Sequence, residues 1–257
     1  MAKRKNNDTD LLYELIRTNF KLRYNNSFLG FVWVLLKPFF TFLVLYVVFS
    51  NFRSNSEIEN YTVYLLSGIM MFSYINEGII FGMNSLLDRA NIILKVNFNR
   101  VIAVVSSVLM AGINFFINLL ILSVFIFFNP LDTNLSGVLF FIFIITIISL
   151  LIMGLSLFMS VILIRVRDLR NIVELLMQLL FYGSAIFYPV EVIPTKVRWM
   201  VEINPIYILI HSAREALISG KIVALDKVLV IAVVAVLLLV IGSVYFNKKV
   251  KRVAEFF

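Results

Sequence analysis

Residues 26–49, NSFLGFVWVLLKPFFTFLVLYVVF, pose the question on which the fold turns. The stretch opens on a polar pair, becomes almost wholly apolar, and carries Lys37 and Pro38 inside the apolar run. Without that pair it would be an ordinary bilayer-crossing helix, because about 20 apolar residues cross ~30 Å of hydrocarbon. The rest of the chain repeats the apolar theme. Of its 257 residues, 61% are hydrophobic and 15% charged, with a mean hydropathy of +0.97. Soluble domains run nearer half apolar and a quarter charged. One water-facing core cannot bury this much apolar surface, so the composition specifies an all-α integral membrane protein.

Six spans are expected, at 31–51, 61–83, 101–128, 138–164, 172–188 and 225–246, within one transmembrane domain over 1–257. The third and fourth are long enough to tilt or protrude. The fifth is short and stops at Pro189. Ahead of them, within 1–28, the spacing predicts an amphipathic helix over 9–24, capped by Thr9 or Asp10. Leu12, Leu15, Ile16 and Phe20 share one face, Glu14, Arg17 and Lys21 the other, and Arg23 breaks the pattern. Such a helix lies in the cytoplasmic interface. The N-terminal MAKRKNNDTD is polar, and the first apolar run is too long for a cleavable signal.

Lys and Arg set the orientation. One set of loops holds 16 of them: Lys3, Arg4, Lys5, Arg17, Lys21, Arg23, Arg89, Lys95, Arg100, Arg165, Arg167, Arg170, Lys248, Lys249, Lys251 and Arg252. The opposite set holds six, namely Arg53, Lys196, Arg198, Arg214, Lys221 and Lys227. Six spans with the basic loops inside put both termini in the cytoplasm. The net charge of +8 is then an orientation signal. No nucleic-acid partner is expected, since no aromatic-basic binding motif accompanies it.

Two connections stand out. In 84–100, Leu86, Leu87, Ala90, Ile93 and Leu94 fall at helical spacing. That short helix either lies on lipid or receives the push of a cytoplasmic partner. The outer segment 189–224 carries Pro189, Pro194 and Pro205, yet long apolar stretches surround them. Non-helical backbone at membrane depth needs protein or a water-filled cavity around it. The segment therefore reads as a broken, partly re-entrant hairpin whose prolines set the ends of each piece.

Soluble-enzyme chemistry is missing. No G-x-x-x-x-G-K-[ST] occurs; before Gly220-Lys221, Glu215 stands where the first glycine belongs. H-E-x-x-H and G-x-S-x-G are absent. His211 is the only histidine and there is no cysteine, so no metal cluster of those ligands is expected, and His211 reads as a hydrogen-bonded or interfacial group. Asp8, Asp10, Asp88, Asp132, Asp168 and Asp226 fall in loops or at span ends, which disfavours an intramembrane aspartyl protease. No catalytic residue is assigned. Glu77 and Glu174 lie within spans and mark either an ion pathway or structural pairing, for example with Lys37. No inverted repeat supports an ion-coupled carrier.

Two stretches carry a family resemblance. In 15–38, LIRTNFKLRYNNSFLGFVWVLLKP, a basic amphipathic helix leads through Leu29-Gly30 to a span with Trp33 and Pro38. In 167–217, Arg167-Asp168 precedes a span closing in Tyr188-Pro189, and Asn204-Pro205 follows. Over nearly its whole length the chain resembles the ABC-2-type permeases that export polysaccharides, the O-antigen and teichoic acid exporters. It departs at Phe98-Asn99-Arg100, where relatives often have Phe-Pro-Arg, which leaves the exit from a coupling helix less sharply defined.

The resemblance implies a homodimer paired with two copies of a separate ATPase subunit, in the bacterial cytoplasmic membrane. ATP and Mg would bind there, and this chain would hold no cofactor. The substrate would be a polyprenyl-linked polysaccharide, O-antigen ahead of teichoic acid. The ATPase would act through the N-terminal helix and through Leu86, Leu87, Asp88, Arg89, Ile93 and Lys95. A sugar polymer is apolar on its ring faces, so aromatic rings suit its path. Phe39, Phe42, Tyr46, Phe181, Tyr182, Phe187 and Tyr188 are the candidates for the channel, or else they face lipid or pack between helices. Lys37 faces the pore entrance or snorkels to the interface. With Leu29, Gly30, Arg165, Arg167 and Arg170 it is a candidate for the cytoplasmic entrance and the phosphates of the lipid carrier; for the arginines, orientation alone is the other reading. Pro189, Glu191, Pro194, Trp199, Asn204 and Pro205 are expected to form an outer gate. An exporter of drugs or small lipids, or a non-transporting envelope scaffold, are the competing readings.

Overall fold

A backbone surrounded by lipid must satisfy its N–H and C=O groups internally. The computed structural model describes residues 2–24, 29–49, 60–95, 98–128 and 130–250, and among them there are helices and turns but no strand. In chain order the α-helices are α1 (Ala2–Tyr24), α2 (Trp33–Val48), α3 (Tyr61–Asn84), α4 (Ala90–Lys95), α5 (Val101–Phe128), α6 (Leu135–Arg165), α7 (Leu169–Gly183), α8 (Thr195–Glu202), α9 (Pro205–Ile218) and α10 (Leu225–Lys249). Short 3-10 turns at Gly30–Val32 and Val190–Val192 precede α2 and α8.

Among the described residues, four helices, α3, α5, α6 and α10, are long and apolar enough to cross a membrane. α2 has 16 residues and α7 has 15. At 1.5 Å per residue they reach only about 22–24 Å. α5 occupies the span expected from the sequence. α6 starts earlier than its apolar run because Asn134 caps it: the side chain accepts from the Gly137 N–H at 2.7 Å. α7 ends at Gly183, ahead of Pro189, for a reason that lies outside its own sequence and is given below. α2 runs through Pro38 without a break, and Pro38 is buried.

α3 is the central helix. Of its most apolar stretch 72% is buried, against 22% for α10, so α3 is packed on by protein while α10 keeps a broad outer face. α5, α6, α2 and α9 all pack against α3. α6 and α10 approach through Gly154 and Gly242; a Cβ on Gly242 would sit 2.4 Å from the Gly154 carbonyl oxygen. Small residues of this kind let membrane helices pack backbone to backbone. α1 docks on α5 and turns Leu15 inward, while Glu14 and Arg17 stay exposed at 3.6 Å from each other.

Candidate functional site

Two adjoining cavities run along α2 and α3, one of about 420 Å³ walled by α7 and one of about 330 Å³ reached by Asn114 of α5. They share Lys37, Asn76, Glu77 and Ile80, and so form one groove. Helical spacing builds it. Ser73, Asn76, Glu77 and Ile80 form one stripe of α3, and Glu174, Gln178 and Tyr182 recur every four residues on α7. The other face of α7, with Val173, Leu176 and Leu180, lines a separate, wholly apolar cavity of about 490 Å³. α7 thus divides a polar space from an apolar one. Glu77 lies seven residues from the end of α3 at Asn84, which is ~10 Å along the axis. From α5, the Asn114 side-chain amide donates to Glu77 Oε2 at 2.8 Å. Lys37 is exposed and lines both cavities, and among the described residues it makes no ion pair. The charge inside the apolar run is thus accommodated by a polar groove.

The aromatic candidates divide. Phe181 and Tyr182 line the groove. Phe42 and Phe187 are buried within the chain. Phe39, Phe42, Tyr46, Tyr61 and Tyr64 form a ladder with successive ring centroids 6.4, 5.4, 6.3 and 6.1 Å apart. Phe187 lies 4.7 Å from Phe49 and 5.9 Å from Phe181 of the groove, and its carbonyl accepts from Tyr61 of the ladder. Tyr188 donates its hydroxyl to the Tyr182 carbonyl at 2.8 Å.

At the far end of α7 the backbone turns inside protein. Ser184, Ala185, Ile186 and Phe187 are buried, and Ala185 takes a φ of +47°. Helix-terminal carbonyls need partners there. Arg214 on α9, 2% exposed, donates to the carbonyls of Ile186 at 2.6 Å and Ala185 at 3.4 Å. Tyr61 donates to Phe187 O at 2.9 Å and Tyr64 to Tyr188 O at 3.4 Å. Asn204 caps α9 by accepting from Ile206 N–H at 3.0 Å, and donates to Ser184 Oγ at 2.9 Å. The Arg214 guanidinium lies 3.8 Å from the centre of the Tyr64 ring, a cation–π contact. Gly68 makes room for it: a Cβ there would stand 1.6 Å from Arg214 Nη2. The turn that follows α7 is therefore held by donors from α3 and α9.

Beyond this knot, Pro189, Glu191, Tyr207, His211, Glu215 and Lys221 border a further cavity of about 320 Å³. Glu191, Pro194, Trp199 and Pro205 are exposed. Arg198 ties α8 back by donating to the Glu191 carbonyl at 2.8 Å. Among the described residues no group of three or more His, Asp or Glu is placed to hold a metal ion.

The sequence matches the family described as ABC-2 type transporter over residues 10–218. The chain belongs to the ABC-2 type transporter family. Its relatives include two proteins from Klebsiella pneumoniae described as O-antigen export system permease protein RfbA. One is 29% identical over 246 residues, 96% of this chain and 94% of the relative. The other is 29% identical over 247 residues, with the same coverage of 96% and 94%. A protein of the same description from Myxococcus xanthus is 26% identical over 248 residues, 95% of this chain and 94% of the relative.

At the opposite end of this ABC-2 chain, the turn between α3 and α4 is organised by Arg89. It is buried and donates to the carbonyls of Ser85 at 3.1 Å and Ala103 at 2.9 Å, and to Ser107 Oγ and Ser106 Oγ, each at 2.9 Å. Leu86 and Ile93 are buried beside it, Leu87 is half-buried and Asp88 exposed. The side chain of Lys95 lies outside the described residues. Arg170 is exposed and donates to Asn84 Oδ1. Arg165 and Arg167 are exposed nearby in sequence, as is Leu29; Gly30 takes a φ of +47°.

Sequence reasoning missed Arg214, Tyr61, Tyr64, Gly68 and Asn114. Arg214 was visible as a cation within the apolar run from Tyr207 to Ile218. Asn114 and Asn118 were visible as a pair one helical turn apart inside a span. That Asn114 would meet Glu77, and Arg214 the turn after α7, had no sequence signal.

Proposed function

We propose that this chain is the membrane-spanning subunit of an ABC exporter that carries lipid-linked O-antigen polysaccharide across the bacterial cytoplasmic membrane. It works as a homodimer with two copies of a separate ATPase subunit, which binds ATP and Mg. The observation that carries the reading is the near full-length likeness to O-antigen export permeases. The groove supplies a matching path: hydroxyl-binding side chains in an otherwise apolar bundle, edged by Phe72, Phe181 and Tyr182. Polar groups at that depth are costly, and they are kept where something polar passes.

In this reading the chain crosses the membrane six times, with α2 and α7 as the short crossings, and both termini are cytoplasmic. The segment from Pro189 to Pro205 closes the outer end between polymers. The arginines at 165 and 167, with Lys37, are the cations that would meet the phosphates of the carrier lipid. α4 and α1 take up the motion of the ATPase.

Deleting the gene tests the reading. Lipid-linked glycan should accumulate on the inner face of the membrane, and its surface appearance should return on complementation. Normal surface glycan in the deletion strain would refute it.

A further inference from the structure

Lys37, Glu77 and Glu174 are the charged residues that line the groove, one cation against two acids. The uncharged polar lining is Thr41, Ser73, Asn76, Asn114 and Gln178. Asn114 reaches across from α5 and fixes Glu77 by the hydrogen bond to Oε2. The basic residues Arg165 and Arg167 lie outside the groove, before α7 begins, and Arg170 turns to Asn84. The groove itself therefore carries a formal charge of one negative per chain. Two copies facing one path would double that.

We propose that Glu77, positioned by Asn114 and joined by Glu174, makes the groove select for uncharged, hydroxyl-rich polymer and against polyanionic polymer. This deepens the export reading above and rests on it. The chemistry is direct. Carboxylates and side-chain amides accept hydrogen bonds from sugar hydroxyls, and each sugar in turn can occupy the same acceptors. Phe181 and Tyr182 offer faces to the rings. A phosphodiester in every repeat has fewer hydroxyl donors and brings a negative charge beside two carboxylates. That repulsion is strengthened where low-dielectric walls replace water. Specificity of this kind comes from an unfavourable element facing the wrong partner as much as from contacts to the right one. One lysine does not reverse the balance, because both acids share its cavity.

The test uses the deletion strain complemented with the full chain and its ATPase subunit. It is supplied with either a neutral polysaccharide or one bearing a phosphodiester in each repeat, both on the same polyprenyl carrier. Surface polymer is measured against polymer held inside. Wild type should export the neutral polymer at least tenfold better. Glu77→Gln with Glu174→Gln should narrow that ratio to within about threefold, chiefly by raising export of the phosphate-bearing polymer. Asn114→Ala, which leaves both acids but frees Glu77, should narrow it partway. If Glu77→Gln fails to reach the membrane, Glu174→Gln alone decides, since Glu174 is exposed and its loss spares the packing. Equal export of the two polymers by wild type, or an unchanged ratio in the variants, overturns the proposal and leaves the export reading standing. Export of neither polymer by wild type overturns both.

Discussion

Removing the Arg214 guanidinium would leave the carbonyls of Ala185 and Ile186 without their donor inside protein. Losing one partner of a buried hydrogen bond costs roughly 1–3 kcal/mol, and the 3.4 Å bond to Ala185 is the weaker of the two. Arg214→Ala should therefore lower stability by about 3 kcal/mol, read as thermal unfolding of the purified protein in detergent. Arg214→Lys keeps the charge but loses the planar fork and the flat contact with Tyr64, and should fall between. Gly68→Ala makes the same point without touching the arginine. Its Cβ would stand 1.6 Å from Nη2, so the side chain must leave its seat. If Gly68→Ala unfolds at the wild-type temperature, the knot around Arg214 is not what holds the end of α7.

Helices differ in how much of them their own residues decide. α5 could be read from its apolar run alone, and the α6 start follows from a local signal, Asn134, that hydropathy does not weigh. α7 could not be read to its end, because the turn that follows it is held from other helices: Arg214, Tyr61 and Tyr64 donate to the carbonyls of Ile186, Phe187 and Tyr188. The groove was legible in the same uneven way. Lys37, Glu77 and Glu174 announce themselves as charges inside spans, and Phe181 and Tyr182 as rings near them, but that α2, α3 and α7 share one space is a tertiary fact. Arg89 belongs to this scale as well. It joins the turn after α3 to the first turns of α5, so that α4 cannot move without carrying α5. Arg89→Ala should leave ATP hydrolysis by the purified complex within about twofold of wild type. Polymer exported per ATP should fall about tenfold. A proportional fall in both would make Arg89 a stability residue and not a link.

Whether α2 and α7 cross the membrane decides the sidedness of the whole molecule, and length alone leaves it open, since each falls short of ~30 Å. Charge separates the alternatives. With four crossings, by α3, α5, α6 and α10 only, one side would hold residues 1–60, 129–134 and the C-terminal tail, and the other would hold 85–100 and 165–227. Lys and Arg would then divide 12 against 11, with no asymmetry to orient the chain. With six crossings they divide 16 against six, with Lys37 inside a span. The charge asymmetry is the one that six crossings would give, and α2 and α7 would then draw their missing length from the 3-10 turn at Gly30–Val32 and the buried turn at 184–187. The chain contains no cysteine, so single-cysteine variants report sidedness without background. Arg167→Cys and Lys196→Cys flank α7, and both positions are exposed. In spheroplasts, a membrane-impermeant maleimide should label the cysteine at 196 directly and the one at 167 only after permeabilisation. Four crossings would put the two on the same side, with equal labelling before and after. That outcome would remove α7 as a wall of any path across the membrane, and with it the assignment of the groove to polymer export.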